Sequence, residues 1–388
     1  MPTQNFLYLE PLRNDMTIGV LKEPSDETRV SLLPEAVAAL TKKAINVLIE
    51  NGAGEKAFAL DDSYQKVGAQ IKTRAEVIQS SEIILSIQSP EKSEISNFKS
   101  KILIGVYFPL YEPDLMQQWA QQGITCFSLD MLPRTTRAQT MDVLSSQANI
   151  AGYKAALEAA NLYSRYLPMF MTAAGTIAPA KVLILGAGVA GLQAIATARR
   201  LGAVVEVLDT RPAVKEEVIS LGAKFIEVEG AADASKAGGY AVEQTEEYKE
   251  KQEQKVADSI AKADIVITTA QIFGKKAPIL ISEKMLNTMR NGSVIIDIAA
   301  ATGGNTPFTK NNETVKHNGI TIVGNSNLPA TMPSDASKLY GKNILNFLQL
   351  VTNKEGQINL NWDDDLVKGS CITHDGEVVN ERVRPLSL

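Results

Sequence analysis

The chain has 388 residues, 45% hydrophobic and 21% charged, with a formal net charge of -5 at pH 7. That length accommodates two or three domains with full cores, and the acidic balance gives no blanket attraction to phosphate backbones, so nucleic acid is not an expected partner. Two cysteines, Cys126 and Cys371, show no zinc-site spacing or disulfide framework, which fits a reducing cytoplasm.

The opening MPTQNFLYLEPLRNDM lacks the basic start, apolar core and small-residue cleavage pattern of a secretory signal and reads as a short extension. From Met16, short apolar runs alternate with helical patterns: TIGVLKEP, LLPEAVAALTKKA, INVLIENGAG, SEIILSIQ, KILIGVYFP and ITCFSLDML. Such alternation predicts βα units on a mainly parallel sheet. The proline-free stretch 136–163 carries Ala, Leu and Met at helical spacing and predicts one long helix joining two domains. A second set of apolar runs follows: KVLILG, AVVEVLD, AKFIEVE, ADIVITTA, SVIIDIAA and ITIVG. The longest weakly polar run, Val182 to Ala198, contains three glycines and Gln193. A strand, turn and helix explain it better than a membrane span, and no transmembrane segment is expected. Finally, YGKNILNFLQLVTN predicts an amphipathic helix returning to the first domain.

The expected fold class is therefore α/β, with two Rossmann-like doubly wound parallel-sheet domains joined by long helices. The first domain is discontinuous, at 16–143 plus 333–388, and the second spans 144–332. Residues 229–255 form a glycine- and alanine-rich stretch followed by a dense run of Glu, Gln and Lys. They read either as a solvated loop leading into an exposed helix or as a mobile lid, since long loops in compact domains tend to be functional or disordered.

Gly186, Gly188 and Gly191 form G-x-G-x-x-G between the strand-like KVLIL and the helix-like LQAIATARRL, with Val189 and Ala190 inside the turn. The first glycine permits the tight turn, the second lets backbone approach a pyrophosphate, and the third lets helix pack close to strand. The helix start then faces the phosphate charge. Asp209 at the end of the next strand is placed to accept hydrogen bonds from the adenosine ribose hydroxyls, which selects NAD over NADP. Arg211 reads equally as a surface cation or a nucleotide contact.

Reducing a carbonyl or oxidising an alcohol or amine requires a proton donor or acceptor at the reacting carbon. The chain holds only His317 and His374, and both read as plain surface residues. Hydride transfer between two nicotinamide rings removes the requirement, because it moves no proton and needs only two rings held face to face with water excluded.

The segments PRTTRAQTMDVLSSQANIAGYKA, ILGAGVAGLQAIATARRLGA, VLDTRPAVKEEVISLGAKF and GSVIIDIAAATGGN resemble the NAD(H)-binding alpha subunit, domain I, of proton-translocating nicotinamide nucleotide transhydrogenase, from about Ile18 to about Val367. The resemblance implies direct hydride transfer between NAD(H) here and NADP(H) on a partner component, coupled to proton movement through a membrane-embedded component. It also implies a homodimer at the inner face of a membrane. By position it carries over Arg134, Gln139, Asp142 and Ser145 as the loop holding the nicotinamide end; the alternative is that these residues start the long helix, with Thr135 or Thr136 as its cap. Asp209, Thr210 and Arg211 match the family's adenosine-ribose corner, and Gly239 and Tyr240 match its mobile loop. TTAQIFGKKAPIL resembles a nucleotide-contacting turn, with Gln271 where the family has an apolar residue and Phe273 where it has proline. No metal site is expected.

Two rivals stay open. Alanine dehydrogenase shares the fold, the ETRVSLLPEAV-like start and the glycine turn, but relies on a lysine and a histidine near positions where this chain has Gln88 and Tyr107, while Arg29 remains. A non-catalytic NAD(H)-sensing module, closing a lid that a partner reads, is the other.

Overall fold

A computed structural model describes residues 16–228, 245–353 and 355–386. They divide into two compact units, one of residues 16–25, 29–133 and 340–386, the other of residues 26–28, 134–228 and 245–339. The boundaries thus fall after Pro133 and within the helix Pro333–Val351, against the expected 143/144 and 332/333. Residues 134–143 go with the second unit because they lead straight into a helix packed there.

The first unit begins with β1 (Thr17–Val20), α1 (Pro34–Thr41), β2 (Asn46–Glu50), α2 (Asp61–Gln65), β3 (Gln70–Lys72), α3 (Arg74–Ser80), β4 (Ile83–Leu85), β5 (Ile102–Gly105), α4 (Pro113–Gln121) and β6 (Thr125–Ser128). The central strands are apolar throughout, and β4 and β5 are buried at every position, as a parallel sheet covered on both faces requires. Chain entry into α3 is fixed by a capping box between Thr73 and Glu76.

The second unit opens with a 3-10 turn, Thr136–Met141, followed by α5 (Val143–Leu162). The expected single helix over 136–163 is corrected here. The chain breaks at Asp142, whose side chain accepts the backbone N–H of Ser145 at 2.9 Å and so caps α5. A hairpin of β7 (Phe170–Thr172) and β8 (Gly175–Ile177) precedes β9 (Lys181–Leu185), α6 (Val189–Arg200), β10 (Val204–Leu208), α7 (Lys215–Ser220) and β11 (Lys224–Phe225). Then come α8 (Glu246–Ile260), β12 (Ile265–Thr268), α9 (Glu283–Leu286), β13 (Val294–Asp297), β14 (Thr314–His317), β15 (Ile320–Val323) and α10 (Pro333–Val351). The C-terminal α11 (Asp365–Ser370), β16 (Cys371–His374) and β17 (Glu377–Val378) complete the first unit.

In the first unit the sheet order is β17-β16-β6-β5-β4-β1-β2-β3, and in the second β11-β10-β9-β12-β13-β15-β14. Within each, the parallel strands run 3-2-1-4-5-6, the doubly wound dinucleotide-fold order, and the expected fold class stands. Antiparallel strands extend one edge of each sheet: β16 on β6, and β14 on β15. They are short and partly polar, which is why no apolar run announced them. His317 and His374 lie in these edge strands rather than on plain surface. His317 stacks on Phe308 at 3.8 Å, and His374 meets Thr125 Oγ1 at 3.1 Å and packs on Trp362.

Of the expected mobile loop 229–255, residues 246–255 are the first turns of α8. Thr245 caps that helix, and Lys249–Glu246 and Lys251–Glu247 pairs run along it. Residues 229–244, including Gly239 and Tyr240, lie outside the described residues, as does the extension 1–15.

Both units place an opening where the strand order reverses, and they treat it differently. In the first unit Glu23 accepts the N–H groups of Ile87 and Gln88 at 2.6 and 3.1 Å. Beside them a buried polar chain runs from Ser86 through the Tyr107 hydroxyl, at 3.0 Å, while the Tyr107 N–H donates to Ser128 and Ser128 donates to Asp130. Burial raises the Asp130 carboxyl from 3.8 to about 6, against the opposing hydrogen bonds from Ser128 and backbone N–H groups. A carboxyl raised on folding binds its proton more tightly in the native chain than in the unfolded one. Its stabilising effect is therefore full below about pH 4 and lost as pH rises through about 6, a change of about 3 kcal/mol. Urea unfolding of the parent and Asp130→Asn between pH 4 and 7 is expected to show this fall in the parent and a flatter profile in the variant.

Candidate functional site

At the reversal point of the second sheet the structure has a cavity of about 900 Å³, lined from the ends of β9, β10 and β12 and from α8. Gly186 turns the chain at φ 103°, in the left-handed region, and a Cβ there would come within 2.4 Å of Thr269 Oγ1. Gly191 lies one helical turn into α6, where a Cβ would stand 1.9 Å from the carbonyl oxygen of Gly186. Gly188 is the exception: its φ is -77°, and a Cβ there would meet nothing within 4 Å. The first and third glycines are thus required by the fold, while the second leaves space open at the N-terminus of a twelve-residue helix. A pyrophosphate fits such a place, since helix N–H groups and the helix dipole both favour an anion.

Of the expected residues, Arg134, Ser145, Gly186, Gly188, Val189, Ala190, Asp209, Thr210, Arg211 and Gln271 line the cavity. Gly191, Gln139 and Asp142 do not. Gly191 acts through packing. Asp142 turns its carboxylate to Ser145, accepting both its N–H and its hydroxyl, at 2.9 and 2.7 Å, so it orients a lining residue. Gln139 is exposed on the 3-10 turn.

Asp209 follows β10 directly. Its Oδ1 accepts the backbone N–H and Nε–H of Arg211 at 2.8 and 2.9 Å, and its Oδ2 accepts Arg211 Nη2 at 2.7 Å and the Ala187 N–H of the glycine turn at 2.6 Å. Arg211 is therefore no free surface cation. Its hydrogen bond to Asp209 raises the guanidinium above its ordinary value, outweighing the opposing effect of burial. The expected role for Asp209, holding ribose hydroxyls, needs Arg211 to yield part of this fork.

Gln271 donates to the Ile298 carbonyl at 3.4 Å. The departure at Phe273 leaves the turn intact: the Lys275 N–H donates to the Ile272 carbonyl at 3.0 Å, and Gly274 has φ 74°, as the third position of a type II turn demands. Phe273 fills the second position, where proline is favoured but not obligatory.

Sequence reasoning missed the α8 wall, formed by Lys249, Gln252, Glu253 and Val256. Their spacing marks one helix face, but the surrounding run of Glu, Gln and Lys conceals it. It also missed Thr269, whose hydroxyl donates to the Gly186 carbonyl at 3.2 Å and so braces the glycine turn. Neither histidine lines the cavity, and among the described residues no group of His, Cys, Asp or Glu is arranged to hold a metal ion.

Residues 19–151 match the family described as alanine dehydrogenase/PNT, N-terminal domain, and residues 155–381 its C-terminal domain. The chain is 44% identical over 376 residues to an NAD(P) transhydrogenase subunit alpha protein of Rickettsia prowazekii, covering 95% of this chain and 97% of that protein. A crystal structure of transhydrogenase from Sinorhizobium meliloti superposes with a TM-score of 0.85 at 43% identity, covering 94% of this chain and all of the other. Alanine dehydrogenase of Bacillus subtilis is 25% identical over 378 residues, covering 95% of this chain and 94% of that protein.

Proposed function

The chain belongs to the alanine dehydrogenase/PNT family, as an NAD(P) transhydrogenase alpha subunit, and from that membership we propose that it binds NAD(H) in the second unit's cavity and exchanges hydride directly with NADP(H) on a partner component. The observation that carries the reading is the open Gly188 position at the start of α6, inside a cavity whose wall includes Asp209 and Arg134. When bound, the nicotinamide supplies the hydride chemistry. The residues of this chain bind, orient and exclude water: Gly188 and the α6 N-terminus receive the pyrophosphate, Asp209 the adenosine ribose, and Arg134 and Ser145 the nicotinamide end, with Asp142 fixing Ser145. Neither histidine is available at the cavity for proton transfer, which suits a reaction that moves none.

In this reading the transfer is Re/Si-specific and coupled to proton translocation by a membrane-embedded component, and the chain acts as a homodimer at the cytoplasmic face of that membrane. The relatives' designation as a subunit supports separate partner subunits. Among the described residues no helix is long and apolar enough to cross a membrane, so the partner would carry the proton path.

The test mixes the purified chain with an NADP(H)-binding transhydrogenase component and follows reduction of an NAD analogue by NADPH. Transfer that requires both components is expected; none would sink the proposal. In a parallel arm the chain alone with NAD and alanine is expected to show no turnover. Tyr107 is wholly buried, hydrogen-bonded to Ser86 and packed edge-on against Trp119 at 5.0 Å, and burial holds its hydroxyl far above the range where it could take up a substrate proton at neutral pH. Sustained alanine oxidation would instead favour the amino-acid dehydrogenase reading.

Nucleotide choice follows from the Asp209–Arg211 fork. NADH is expected to bind more tightly than NADPH by about one or more kcal/mol, because a 2′-phosphate would face the carboxylate. In Asp209→Ala, NADH affinity should fall by about 1–3 kcal/mol while the released Arg211 favours the phosphate, so the preference narrows or reverses. Calorimetric titration of both nucleotides reads this directly, and an unchanged preference would remove Asp209 from the ribose site.

A further inference from the structure

The segment DIAAATGGN, which ends β13 and runs on from it, contributes only Ile298 to the cavity, yet its last residue is bound on every side. Asn305 is fully buried. Its backbone N–H donates to Asp297 Oδ2 at 2.6 Å, and its backbone carbonyl accepts the N–H groups of Leu280 and Ile281 at 2.9 and 3.0 Å. Its side-chain oxygen accepts the Ala270 N–H at 3.2 Å, and its Nδ2 donates to the carbonyls of Ala270 and Pro278 at 2.9 and 2.8 Å. Asp297, itself fully buried, is held in turn by the Ala299 N–H at 3.0 Å and the Thr309 hydroxyl at 2.6 Å.

All but one of the bonds from Asn305 end on a single strap, residues 269–282, which leaves β12 and returns to α9. That strap supplies Thr269, Ala270, Gln271, Ile272, Lys275, Pro278, Ile279, Leu280 and Ser282 to the cavity wall, whereas Asn305 does not line the cavity. Both ends of the strap's excursion, at Ala270 and at Pro278–Ile281, are pinned by this one residue. Consecutive glycines make the arrangement possible: Gly303 and Gly304 both have positive φ, at 108° and 78°, and turn the chain back on itself. A Cβ at Gly303 would strike Lys276 of the strap at 2.8 Å, so the two segments touch there as well.

We infer that Asn305 is a positioning residue for nucleotide binding: without touching NAD(H), it sets the strap that walls the nucleotide cavity, with Asp297 anchoring it from behind. The inference rests on the cavity being the NAD(H) site. An asparagine suits the task because one flat amide offers an acceptor and two donors, matching one N–H and two carbonyls that would otherwise be buried unpaired. Aspartate could not substitute, since it would set a second carboxylate beside Asp297 and turn an acceptor toward two carbonyl oxygens.

The experiment measures NADH affinity by calorimetry, thermal unfolding, and tryptic cleavage after Lys275 and Lys276 for the parent, Asn305→Ala, Asn305→Ser and Thr309→Val. Thr309→Val removes a hydrogen bond to Asp297 but none to the strap, and so reports what loosening this region does without freeing the wall. Parent binding of NADH tests the site assignment by itself, and its absence would be a failure of that assignment rather than of the role of Asn305. The expected result is that Asn305→Ala stays folded, binds NADH at least about tenfold more weakly and is cut faster in the strap. Asn305→Ser falls between it and the parent, and Thr309→Val keeps NADH affinity within about twofold while melting at lower temperature. The inference is overturned if Asn305→Ala binds NADH as the parent does, if Thr309→Val weakens binding equally, or if neither Asn305 variant folds, which would assign the residue to the fold alone.

Discussion

Gly188→Ala and Gly191→Ala are both expected to abolish tight NADH binding, but only Gly191→Ala should lower the unfolding temperature. A methyl at Gly191 would stand 1.9 Å from the Gly186 carbonyl oxygen and 2.9 Å from its carbon, so the start of α6 must move away from the end of β9. Forced overpacking of this kind costs about 1–3 kcal/mol and occasionally more. In a unit of this size that corresponds to roughly 2–4 °C of melting temperature per kcal/mol. The same displacement carries Gly188, Val189 and Ala190, all cavity-lining, out of register with Asp209. At Gly188 the new methyl meets no protein atom within 4 Å, and the backbone conformation suits any residue, so folding is unaffected. The methyl does occupy the place where phosphate oxygens would approach the helix N–H groups, and each charge-assisted hydrogen bond lost there costs about 1.5–3 kcal/mol. Differential scanning calorimetry with and without NADH separates the two. Normal NADH binding by Gly188→Ala would place the pyrophosphate elsewhere.

These glycines were legible because their work is local. The turn, the close helix and the acid after the next strand are all encoded within about thirty residues of one strand–helix–strand unit. The rest of the site depends on residues brought together from farther apart, or on which of several partners a side chain selects. Nothing in VLDTR says that Arg211 folds back on Asp209 rather than facing solvent. Nothing in ATGGN says that Asn305 reaches strap residues 35 and 27 positions earlier. The break at Asp142 was similarly hidden, since TRAQTMDVLSS keeps apolar residues at helical spacing on both sides of it. Only the competition between Asp142 as a helix interior residue and as a cap decides the matter, and Asp strongly favours the cap. In the fold, the central strands declared themselves as continuous apolar runs. The edge strands β14 and β16 alternate polar and apolar residues over four positions, too short a stretch to distinguish from loop.

Gln139→Asn is expected to separate binding from transfer, lowering the rate of hydride exchange with the NADP(H) component by roughly a hundredfold while changing NADH affinity only a few-fold. Gln139 sits on the exposed 3-10 turn Thr136–Met141, outside the residues that line the cavity, while Arg134 and Ser145 on either side of it do line it. A side chain so placed contributes little to holding NAD(H) in the ground state. It lies beside the segment that the proposed function assigns to the nicotinamide end, where it is available to a second nucleotide carried by a partner. The substitution keeps the amide and removes one methylene, so charge, polarity and the turn itself are preserved and only reach is lost. Rates of direct transfer are steep in placement: a misplacement of about 1 Å can cost roughly a hundredfold, whereas ground-state binding spread over many contacts hardly registers it. Single-turnover transfer in the reconstituted complex, set against calorimetric NADH affinity of the chain alone, gives both quantities. Loss of affinity in proportion to rate would make Gln139 an ordinary ground-state contact with NADH. No change in either would make it a passive member of the turn, and the assignment of this segment to the nicotinamide end would then rest on Arg134 and Ser145 alone.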